Sequence, residues 1–411
     1  MKQISYNNIA IVGGGAAGFF AAITVAENYP LSNVVIFEKS TKVLSKVKIS
    51  GGGRCNLTNA CSSLKELSNA YPRGQKMLKK AFNVFNNKDT MQWFESRGVP
   101  VIVQEDNCVF PVSQSSKTVI DCFLRECNKL GIKIEVQKGV IGIEQTVNGK
   151  LKLFFSKEIN QPLIFDKVIV ATGGCPKRSG LVWLEKLGHK IEEPVPSLFT
   201  FNMPDEPIKK LMGVVVEKNT TSIQGTKLKS NGPLLITHWG MSGPSILKLS
   251  AFGARILNSM NYKFKIQVNW VNEKNNEKVY NYLKTIILKY PKKQLINYRP
   301  YFLPQRLWTY LLEKSSVLAK KKWEEIGKKD LNKIVSILCN DIYSVSGKTT
   351  FKEEFVTCGG LSLESIDTKT MESKVCKNLY FAGEVIDVDG ITGGYNFQAA
   401  WTTAYIAAKL L

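Results

Sequence analysis

Three glycines that follow a short apolar strand constrain the fold of this chain more than any other feature. Gly13, Gly15 and Gly18 form the pattern G-x-G-x-x-G directly after Asn8–Val12. In that pattern the first glycine permits a tight turn, the second lets a pyrophosphate approach the backbone, and the third allows close packing of a helix on a strand. Helical spacing continues over residues 16–27, so the pattern predicts a strand, a turn and a helix whose N-terminus can receive phosphates.

An acidic residue completes this βαβ unit. Asn33–Phe37 reads as a second strand, and Glu38 follows it, 20 residues after Gly18. A carboxylate at that point can accept hydrogen bonds from a ribose hydroxyl, and it would repel a 2′-phosphate. Residues 8–38 are therefore predicted to hold the adenosine half of a dinucleotide, with a glycine-rich packing turn as the alternative.

FAD and NAD share this fingerprint, so the choice between them depends on two further segments. Residues 50–56 read Ser-Gly-Gly-Gly-Arg-Cys-Asn, a flexible run of backbone donors that can lie along an extended cofactor, or form an ordinary surface loop. Residues 381–396 contain several acids and a glycine pair that opens the last helix. An acid after a buried strand can bind a ribityl chain, and a helix N-terminus can stabilise negative charge on a reduced isoalloxazine. Both needs are specific to a flavin.

Hydrophobic spacing predicts the remaining elements. We expect helices over residues 76–97, 117–130, within 274–333 and over 395–411. We expect a buried parallel strand at 167–171, a strand at 378–381, and a meander with a hairpin formed by strands at 132–136, 140–145 and 151–155. Small antiparallel β structure is expected over about 192–270, and a strand at 342–355. The sequence therefore predicts a nucleotide-binding domain made from both chain ends, with a β-plus-helix insertion.

Several short motifs, in their order and spacing, resemble the BaiN-like NAD(P)/FAD-dependent oxidoreductase family, which includes aminoacetone-oxidase-type flavoproteins. They are the Gly13 loop and residues 50–59, 171–174, 237–244, 357–361, 370–374 and 381–400. The resemblance spans nearly the whole chain. It implies an α/β fold with a Rossmann-type FAD-binding domain of the two-dinucleotide-binding-domain flavoproteins (residues 1–191 and 353–411), an inserted β-barrel domain (192–271 and 336–352) and a helical subdomain (272–335).

Together, the motifs and the resemblance predict the residues that contact FAD. They are Gly13, Gly15, Ala16, Ala17, Gly18, Glu38, Lys39, Ser50, Gly51, Gly52, Arg54, Cys55, Asn56, Ala171, Thr172, Gly173, Gly383, Glu384, Asp387, Gly393, Gly394, Tyr395 and Asn396. A second G-x-G-x-x-G after a strand is absent from the sequence. NAD(P)H is therefore expected to bind only transiently as electron donor, or another electron partner is used.

Few side chains are obvious proton donors. His238 follows an apolar run in a glycine-rich turn, where it could face a pocket or make a turn-stabilising hydrogen bond; it is our candidate catalytic residue. His189 is interpreted as a helix-capping residue. Cys55 and Cys61 have Cys-x5-Cys spacing, which does not favour a dithiol mechanism. Arg54 and Tyr395 could contact a substrate anion or a ring, although packing is the stronger interpretation.

Composition limits the partners. Nine cysteines at irregular spacing, with no Cys-x-x-Cys pair and two histidines, predict a reducing, cytoplasmic location and no metal. No apolar run approaches the roughly 20 residues of a membrane span. The net charge is +22, and lysines are densest over residues 274–333. We favour a solvated helical face there over a nucleic-acid site, because no aromatic-and-basic recognition motif accompanies the lysines.

The predicted function is that of an FAD-dependent oxidoreductase that passes hydride between a small organic substrate and the flavin. Two alternatives stay open. The positive charge suggests a flavin-dependent RNA-modifying enzyme. A flavin-binding sensor without turnover is the other.

Overall fold

The computed structural model describes residues 8–156, 161–350 and 356–411. The chain divides into two compact units, Met1–Ser197 with Lys352–Leu411 and Leu198–Phe351, so both chain ends belong to the same unit. The first unit extends to Ser197, beyond the predicted boundary at residue 191, because the strand Ile191–Pro196 pairs with the strand Thr357–Leu361. Positions 351–355 of the predicted strand at 342–355 lie outside the described residues. The finer division of the insertion, at residues 272–335, stays a prediction.

The strands are β1 (Asn8–Val12), β2 (Asn33–Phe37), β3 (Thr58–Asn59), β4 (Val101–Val103), β5 (Cys108–Pro111), β6 (Lys133–Glu135), β7 (Val140–Gln145), β8 (Leu151–Phe155), β9 (Leu163–Phe165), β10 (Lys167–Val170), β11 (Ile191–Pro196), β12 (Thr200–Asn202), β13 (Val215–Ile223), β14 (Lys229–Ile236), β15 (Gly240–Ser242), β16 (Lys263–Asn269), β17 (Asp341–Ser346), β18 (Lys348–Thr349), β19 (Thr357–Leu361) and β20 (Leu379–Phe381).

The α-helices are α1 (Ala16–Asn28), α2 (Ser45–Gly53), α3 (Leu64–Asn69), α4 (Gln75–Ala81), α5 (Asn87–Glu95), α6 (Ser116–Lys129), α7 (Val182–Lys186), α8 (Pro244–Ser259), α9 (Asn276–Lys289), α10 (Gln305–Lys314), α11 (Lys328–Cys339) and α12 (Tyr395–Ala407). Short 3-10 turns lie at Arg178–Leu181, Pro207–Leu211, Leu295–Asn297, Pro300–Phe302, Trp323–Glu325, Leu363–Ser365 and Gly383–Val385.

A five-stranded parallel sheet forms the centre of the first unit, in the order β20-β10-β1-β2-β6. The middle strand β1 carries Ile9, Ala10 and Ile11 with no exposed surface, as expected for a strand covered on both faces. Strand order changes direction beside β1, because β2 and β6 follow on one side and β10 and β20 on the other. The carboxyl ends of the strands at such a switch point leave a crevice where α/β proteins bind ligands.

Helix α1 is apolar on every side and buried along most of its length, from Ala17 to Ala26. A helix of that kind requires cover from several elements, and α12, also largely buried, packs against it. Aromatic rings fill the space around the pair: the ring centroid of Phe20 lies 4.6 Å from that of Trp93 and 5.4 Å from that of Trp401. This packing holds the N-terminus of α1 in a fixed position next to the sheet.

Two local predictions for this unit were wrong. The helix expected over residues 76–97 is two helices, α4 and α5. Asn86 and Asp89 form a capping box, in which the Asn86 N–H donates to the Asp89 carboxylate at 2.7 Å, and this box starts a new helix. The first strand of the expected meander, β6, pairs instead with β2 at the edge of the parallel sheet, and the antiparallel meander is β7-β8-β9.

The second unit contains a seven-stranded antiparallel sheet in the order β17-β16-β13-β14-β15-β12-β18. Its two end strands, β17 and β18, are separated in the chain only by Gly347, whose φ of 108° suits glycine. β17 pairs with β16 at one end of this order, and β18 pairs with β12 at the other. The sheet therefore closes on itself as a barrel, and helices α9, α10 and α11 accompany it, with Trp270, Trp308 and Trp323 buried in the core. The predicted fold class is confirmed. None of the helices in the part of the chain that the structure describes is long and apolar enough to cross a membrane.

Candidate functional site

The glycine loop after β1 shows why each glycine is needed. A methyl group on Gly13 would lie 2.4 Å from the Ala171 carbonyl oxygen, and one on Gly18 would lie 1.9 Å from the Gly13 carbonyl oxygen. Both positions therefore exclude any side chain. A methyl group on Gly15 would meet no atom within 4 Å. Gly15 thus exposes its backbone to open space, as a glycine that faces a bound phosphate must.

The N-terminus of α1 leaves its first amide groups uncapped. Its N-cap residue is Gly15, no side chain caps the helix, and its first turn carries no acidic residue. Helix N-termini attract anions, because several N–H groups and the positive end of the helix dipole point outwards. An acidic ligand group can therefore be held there by backbone alone.

Glu38 lies at the end of the neighbouring strand β2 and is tied to the same loop. Its carboxylate accepts the Gly14 N–H at 2.9 Å and the Ser40 N–H at 2.8 Å. A carboxylate has about four acceptor positions, so two are left for hydroxyl donors. Lys39, which follows, is exposed.

The loop at the end of α2 has an unusual backbone. Gly51, Gly52 and Gly53 all have positive φ, from 56° to 85°, and a methyl group on Gly52 or Gly53 would meet no atom within 4 Å. Three successive glycines of this kind present N–H groups without side chains in the way. Arg54 then folds back, with its guanidinium 4.1 Å from the Phe110 ring centroid, which fits the packing interpretation.

Cys55 and Tyr395 contribute less than their positions in the sequence suggest. Cys55 has no exposed surface, and burial raises the pKa of its thiol to about 12, so it stays protonated. The Tyr395 hydroxyl lies 3.5 Å from the Cys61 sulfur, and burial raises the pKa of Tyr395. None of the nine cysteines forms a disulfide among the described residues.

A second group of polar atoms lies at the carboxyl ends of β10 and β20. Glu384 accepts the Thr357 N–H at 2.9 Å, and its other oxygen pairs with Lys46 at 2.9 Å. A methyl group on Gly174 would lie 2.7 Å from both the Glu384 carboxyl and the Thr357 hydroxyl oxygen. That hydroxyl is buried and has no hydrogen-bond partner among the described residues. A buried hydroxyl without a partner is costly unless a ligand satisfies it.

The segment before α12 is held by a buried ion pair that the sequence did not reveal. Asp389 has no exposed surface, and both its oxygens accept from the Arg73 guanidinium; the Ser197 hydroxyl donates to one of them. Burial raises the pKa of Asp389, whereas Arg73 and these hydrogen bonds oppose the rise. Asp387, two residues earlier, accepts the Gly359 N–H at 2.8 Å.

Backbone contacts fix the turn that opens α12. The Asn396 side chain binds both backbone groups of Gly390, at 2.8 Å and 3.0 Å, and the Tyr71 hydroxyl donates to the Tyr395 carbonyl at 2.6 Å. Gly394 is the N-cap residue of α12, and a methyl group there would lie 2.4 Å from the Thr58 carbonyl oxygen. Like α1, α12 has no capping side chain and no acid in its first turn. The first unit therefore presents a second uncapped helix N-terminus.

These residues fit FAD. Open backbone at Gly15, uncapped helix N-termini and Glu38 suit a pyrophosphate and a ribose, and the orphaned Thr357 hydroxyl suits a polyol. The predicted residues form four local groups: the Gly13 loop with Ala171 and Glu38, the loop 50–56, the Glu384 group with the 172–174 turn, and the 387–396 segment. Sequence reasoning missed Arg73, Ser197 and Thr357. Arg73 and Ser197 lie far from residue 389 in the chain and match no motif; Thr357 lies in a motif but gives no signal of its burial.

Neither of the two histidines belongs to these four groups. His189 is buried; its Nδ1 bonds to the Leu184 carbonyl at 3.0 Å and its Nε2 to the Ser373 hydroxyl at 2.8 Å, which confirms the capping role. His238 is exposed in the turn between β14 and β15 of the second unit and packs edge-on to Trp239. Thr237 makes the hydrogen bonds of that turn, so they do not depend on His238.

One group of side chains has the spacing of metal ligands. Ligand atoms of Cys358, Asp387 and Asp389 lie within 4.8 Å of one another. The Asp389 carboxylate, however, is engaged by Arg73, whose positive charge would repel a cation. This group therefore does not support a metal site.

Similarity to known proteins extends along the whole chain. The 3-dehydro-bile acid delta(4,6)-reductase of Clostridium scindens is 26% identical, over 98% of this chain and 98% of its own length. The ribosomal RNA dihydrouridine synthase of Haemophilus influenzae is 29% identical, over 99% of this chain and 98% of its own length. The fold resembles that of a solved Escherichia coli quinol fumarate reductase FrdA, with a TM-score of 0.50 and 14% identity over 100% of this chain and 70% of that chain.

The family model described as "HI0933-like protein Rossmann domain" matches residues 7–410. This match covers nearly all of the chain and includes every segment on which the resemblance to BaiN-like flavoproteins was based. The chain therefore belongs to the HI0933-like family, and the predictions of a Rossmann domain and of an oxidoreductase enzyme are confirmed.

Proposed function

We propose that this protein is an FAD-dependent oxidoreductase that reduces a carbon–carbon double bond conjugated to a carbonyl group in a small organic substrate. The observation that carries the proposal is the open space beside Gly15 at the uncapped N-terminus of α1, with Glu38 at the end of the next strand. Bound FAD would supply the two-electron chemistry that protein side chains lack.

Each predicted residue group has a proposed role in holding the cofactor. The N–H groups of Gly15, Ala16 and Ala17 would bind the pyrophosphate, and Glu38 the adenosine ribose. Glu384 and the Thr357 hydroxyl would take hydroxyl groups of the ribityl chain. The N-terminus of α12 would stabilise negative charge on the reduced ring system.

The substrate class comes from the names of two relatives. A 3-dehydro-bile acid delta(4,6)-reductase and a dihydrouridine synthase both saturate a double bond that is conjugated to a carbonyl group. Such a reduction adds a hydride to the carbon remote from the carbonyl and a proton to the carbon beside it. We propose NAD(P)H as the donor of the hydride equivalent, so that NAD(P)H, a proton and the unsaturated substrate give NAD(P)⁺ and the saturated product.

His238 stays our candidate for proton transfer. It is one of two histidines, and its exposed ring is free of the turn hydrogen bonds that Thr237 makes. A His238→Gln variant should lose turnover but keep FAD. An unchanged pH profile of kcat in that variant would exclude His238 from the proton step.

Cofactor binding is tested with two matched glycine variants. Gly15 (φ −96°) and Gly327 (φ −77°) are both N-cap residues in extended backbone, and a methyl group would meet no atom within 4 Å of either. Neither Gly15→Ala nor Gly327→Ala should disturb folding. The first should lower FAD affinity about tenfold or more, because its methyl group occupies the space for the pyrophosphate; the second should leave it unchanged. Equal affinities of both variants, or no flavin absorbance after reconstitution of the unaltered protein, would overturn the cofactor assignment.

Turnover is tested separately. Anaerobic NADPH or NADH should bleach the flavin absorbance, and an α,β-unsaturated ketone should restore it with formation of the saturated ketone. A flavin that binds but is inert to every donor and acceptor would favour the sensor without turnover.

A second candidate function is reduction of uridine in RNA. It is favoured by the net charge of +22 and by the name of the Haemophilus influenzae relative. The reaction class is the same, since the uracil double bond is conjugated to a carbonyl. Incubation of ribosomal RNA with the reduced enzyme, followed by mass spectrometry for a gain of two hydrogens per uridine, decides between the two substrates.

A further inference from the structure

The second unit carries a surface of tyrosines and lysines that has no role in the proposed cofactor site. We call it the tyrosine–lysine surface; it consists of Tyr282, Tyr290, Tyr298, Tyr301, Lys289 and Lys293. Its tyrosines come from α9 and from the chain between α9 and α10. Each of the four rings is half-buried, so each keeps part of its surface in solvent.

The four tyrosines form a continuous aromatic cluster. Ring centroids lie 4.4 Å apart for Tyr282 and Tyr301, and 4.5 Å apart for Tyr290 and Tyr298. The two pairs meet at Tyr298: burial raises the pKa of its phenol, and the adjacent phenols of Tyr282 and Tyr290 raise it further. A joined set of rings offers flat faces on which other rings can stack.

Positive charge lies directly on this cluster. The ammonium groups of Lys289 and Lys293 are 5.5 Å and 5.0 Å from the Tyr290 ring centroid. Both lysines are exposed, and no acidic residue occurs in the sequence between residues 278 and 312. Glu273, near Tyr301, marks one edge of the surface. Glu324 lies on the neighbouring segment, where it pairs with Lys322 at 3.9 Å. Neither Lys289 nor Lys293 forms an ion pair with a described residue, so both are available to an anionic partner.

The backbone beside the cluster displays a further ring. Tyr301 and Phe302 have φ values of 53° and 54°, a left-handed conformation that costs free energy for residues with side chains. The Phe302 side chain is 93% exposed. A strained backbone that holds a phenylalanine in water is typical of a contact site, because no packing in the described unit repays it.

We propose that the tyrosine–lysine surface, with Phe302, binds an unpaired stretch of RNA. This differs from the solvated face expected for residues 274–333, because folding brings together tyrosines and lysines that form no recognition motif in the sequence. Bases would stack on the exposed aromatic faces, and Lys289 and Lys293 would contact phosphates. Unpaired nucleotides are favoured over a duplex, because stacking on protein rings needs bases that have left the helix. The choice of RNA over single-stranded DNA rests on the second function proposed above, whereas the stacking and charge arguments stand on the surface alone.

The test is fluorescence anisotropy with FAD-loaded protein and an end-labelled RNA hairpin that has a single-stranded loop. Lys289→Ala/Lys293→Ala should lower affinity about tenfold at 0.1 M salt and reduce the slope of log K against log salt by about 2, one unit per lost phosphate contact. Phe302→Ala should lower affinity for the hairpin roughly tenfold and leave affinity for a loop-free duplex unchanged. Far-UV circular dichroism checks the fold of each variant.

A matched control is Lys79→Ala/Lys80→Ala, which removes the same charge from exposed positions on α4 in the other unit. This pair should leave both affinity and slope near those of the unaltered protein. The proposal is overturned if both pairs have equal effects, if the hairpin does not bind, or if the surface variants lose binding only to anionic phospholipid vesicles. Equal affinity for DNA of the same sequence would overturn the RNA assignment.

This test is independent of the proposed activity. Binding is read without turnover, so a protein that reduces no substrate can still pass it. Conversely, the surface variants should reduce an α,β-unsaturated ketone at the unaltered rate, and failure of RNA binding would leave the reductase proposal standing.

Discussion

Removal of Arg73 tests how the segment before α12 is held. Arg73 is 13% exposed, and it pairs with an Asp389 that has no exposed surface. Loss of one member of a buried ion pair leaves the other charge without compensation, at a cost of about 3–5 kcal/mol. We expect Arg73→Met to lower the free energy of unfolding by that amount at pH 8.

The cost should depend on pH, and its sign follows from Asp389. Burial already raises the pKa of this carboxyl, and Arg73 opposes the rise. Without Arg73 the folded-state pKa moves further above the unfolded value of about 4. A carboxyl of this kind destabilises the folded state as pH rises from the unfolded pKa towards the folded pKa, by about 1.4 kcal/mol per pH unit. The gap between variant and unaltered protein should therefore be small near pH 4 and widen towards pH 8.

Urea unfolding at several pH values, followed by tryptophan fluorescence, measures this gap, and hydrogen exchange of residues 385–397 reports the local opening. Arg73→Met/Asp389→Leu should remove the pH dependence, because neither charge is left. Arg178→Met is the control, since that arginine is exposed and its ion pairs are on the surface. A gap under about 1 kcal/mol at pH 8, or one that does not change with pH, would refute the reasoning.

Three further outcomes follow from single side chains. Gly18→Ala should destabilise the protein by about 3 kcal/mol or more in urea unfolding, because its methyl group would lie 1.9 Å from the Gly13 carbonyl oxygen; near-neutral stability would contradict the tight packing of α1 on β1. Thr357→Val should leave stability equal or higher, since it removes a buried hydroxyl without a partner, while FAD affinity measured by titration falls; unchanged affinity would remove Thr357 from the site. Burial lowers the pKa of His189, so its contribution to stability is complete above the unfolded pKa of about 6.5 and is lost as pH falls towards the folded pKa. His189→Asn should lack that slope in unfolding measured from pH 7 to pH 5, and the same slope in both proteins would assign it to another group.

The part of the site that could be predicted from sequence is the part that backbone chemistry dictates. Gly13, Gly15 and Gly18 have fixed spacing because each acts within one turn, and that spacing is legible in a single sequence. The pair of Arg73 and Asp389 cannot be recognised in the sequence, because the partners are 316 residues apart and meet only after folding. The same holds for Thr357, whose hydroxyl is orphaned by packing around Gly174.

Element type was also more predictable than element pairing. β6 was predicted as a strand from its β-rich sequence, but its partner was not, since a parallel edge strand and a hairpin strand have similar local patterns. The break between α4 and α5 depends on Asn86 and Asp89, whose reciprocal capping outweighs the helical spacing around them. Local polar chemistry decided the boundary, and apolar periodicity did not.

The two units contribute to the proposed functions through different groups, backbone in the first and side chains in the second. In the first unit the proposed ligand contacts are largely backbone groups at Gly15 and at two helix N-termini, and such contacts can survive extensive sequence change. That is consistent with relatives at 26% and 29% identity whose names point to a bile acid and to ribosomal RNA. A shared fold cannot separate these substrates, because substrate choice belongs to side chains. In the second unit, the side chains of the tyrosine–lysine surface do distinguish between the two substrates. Its half-buried rings and exposed lysines suit a nucleic acid better than a sterol.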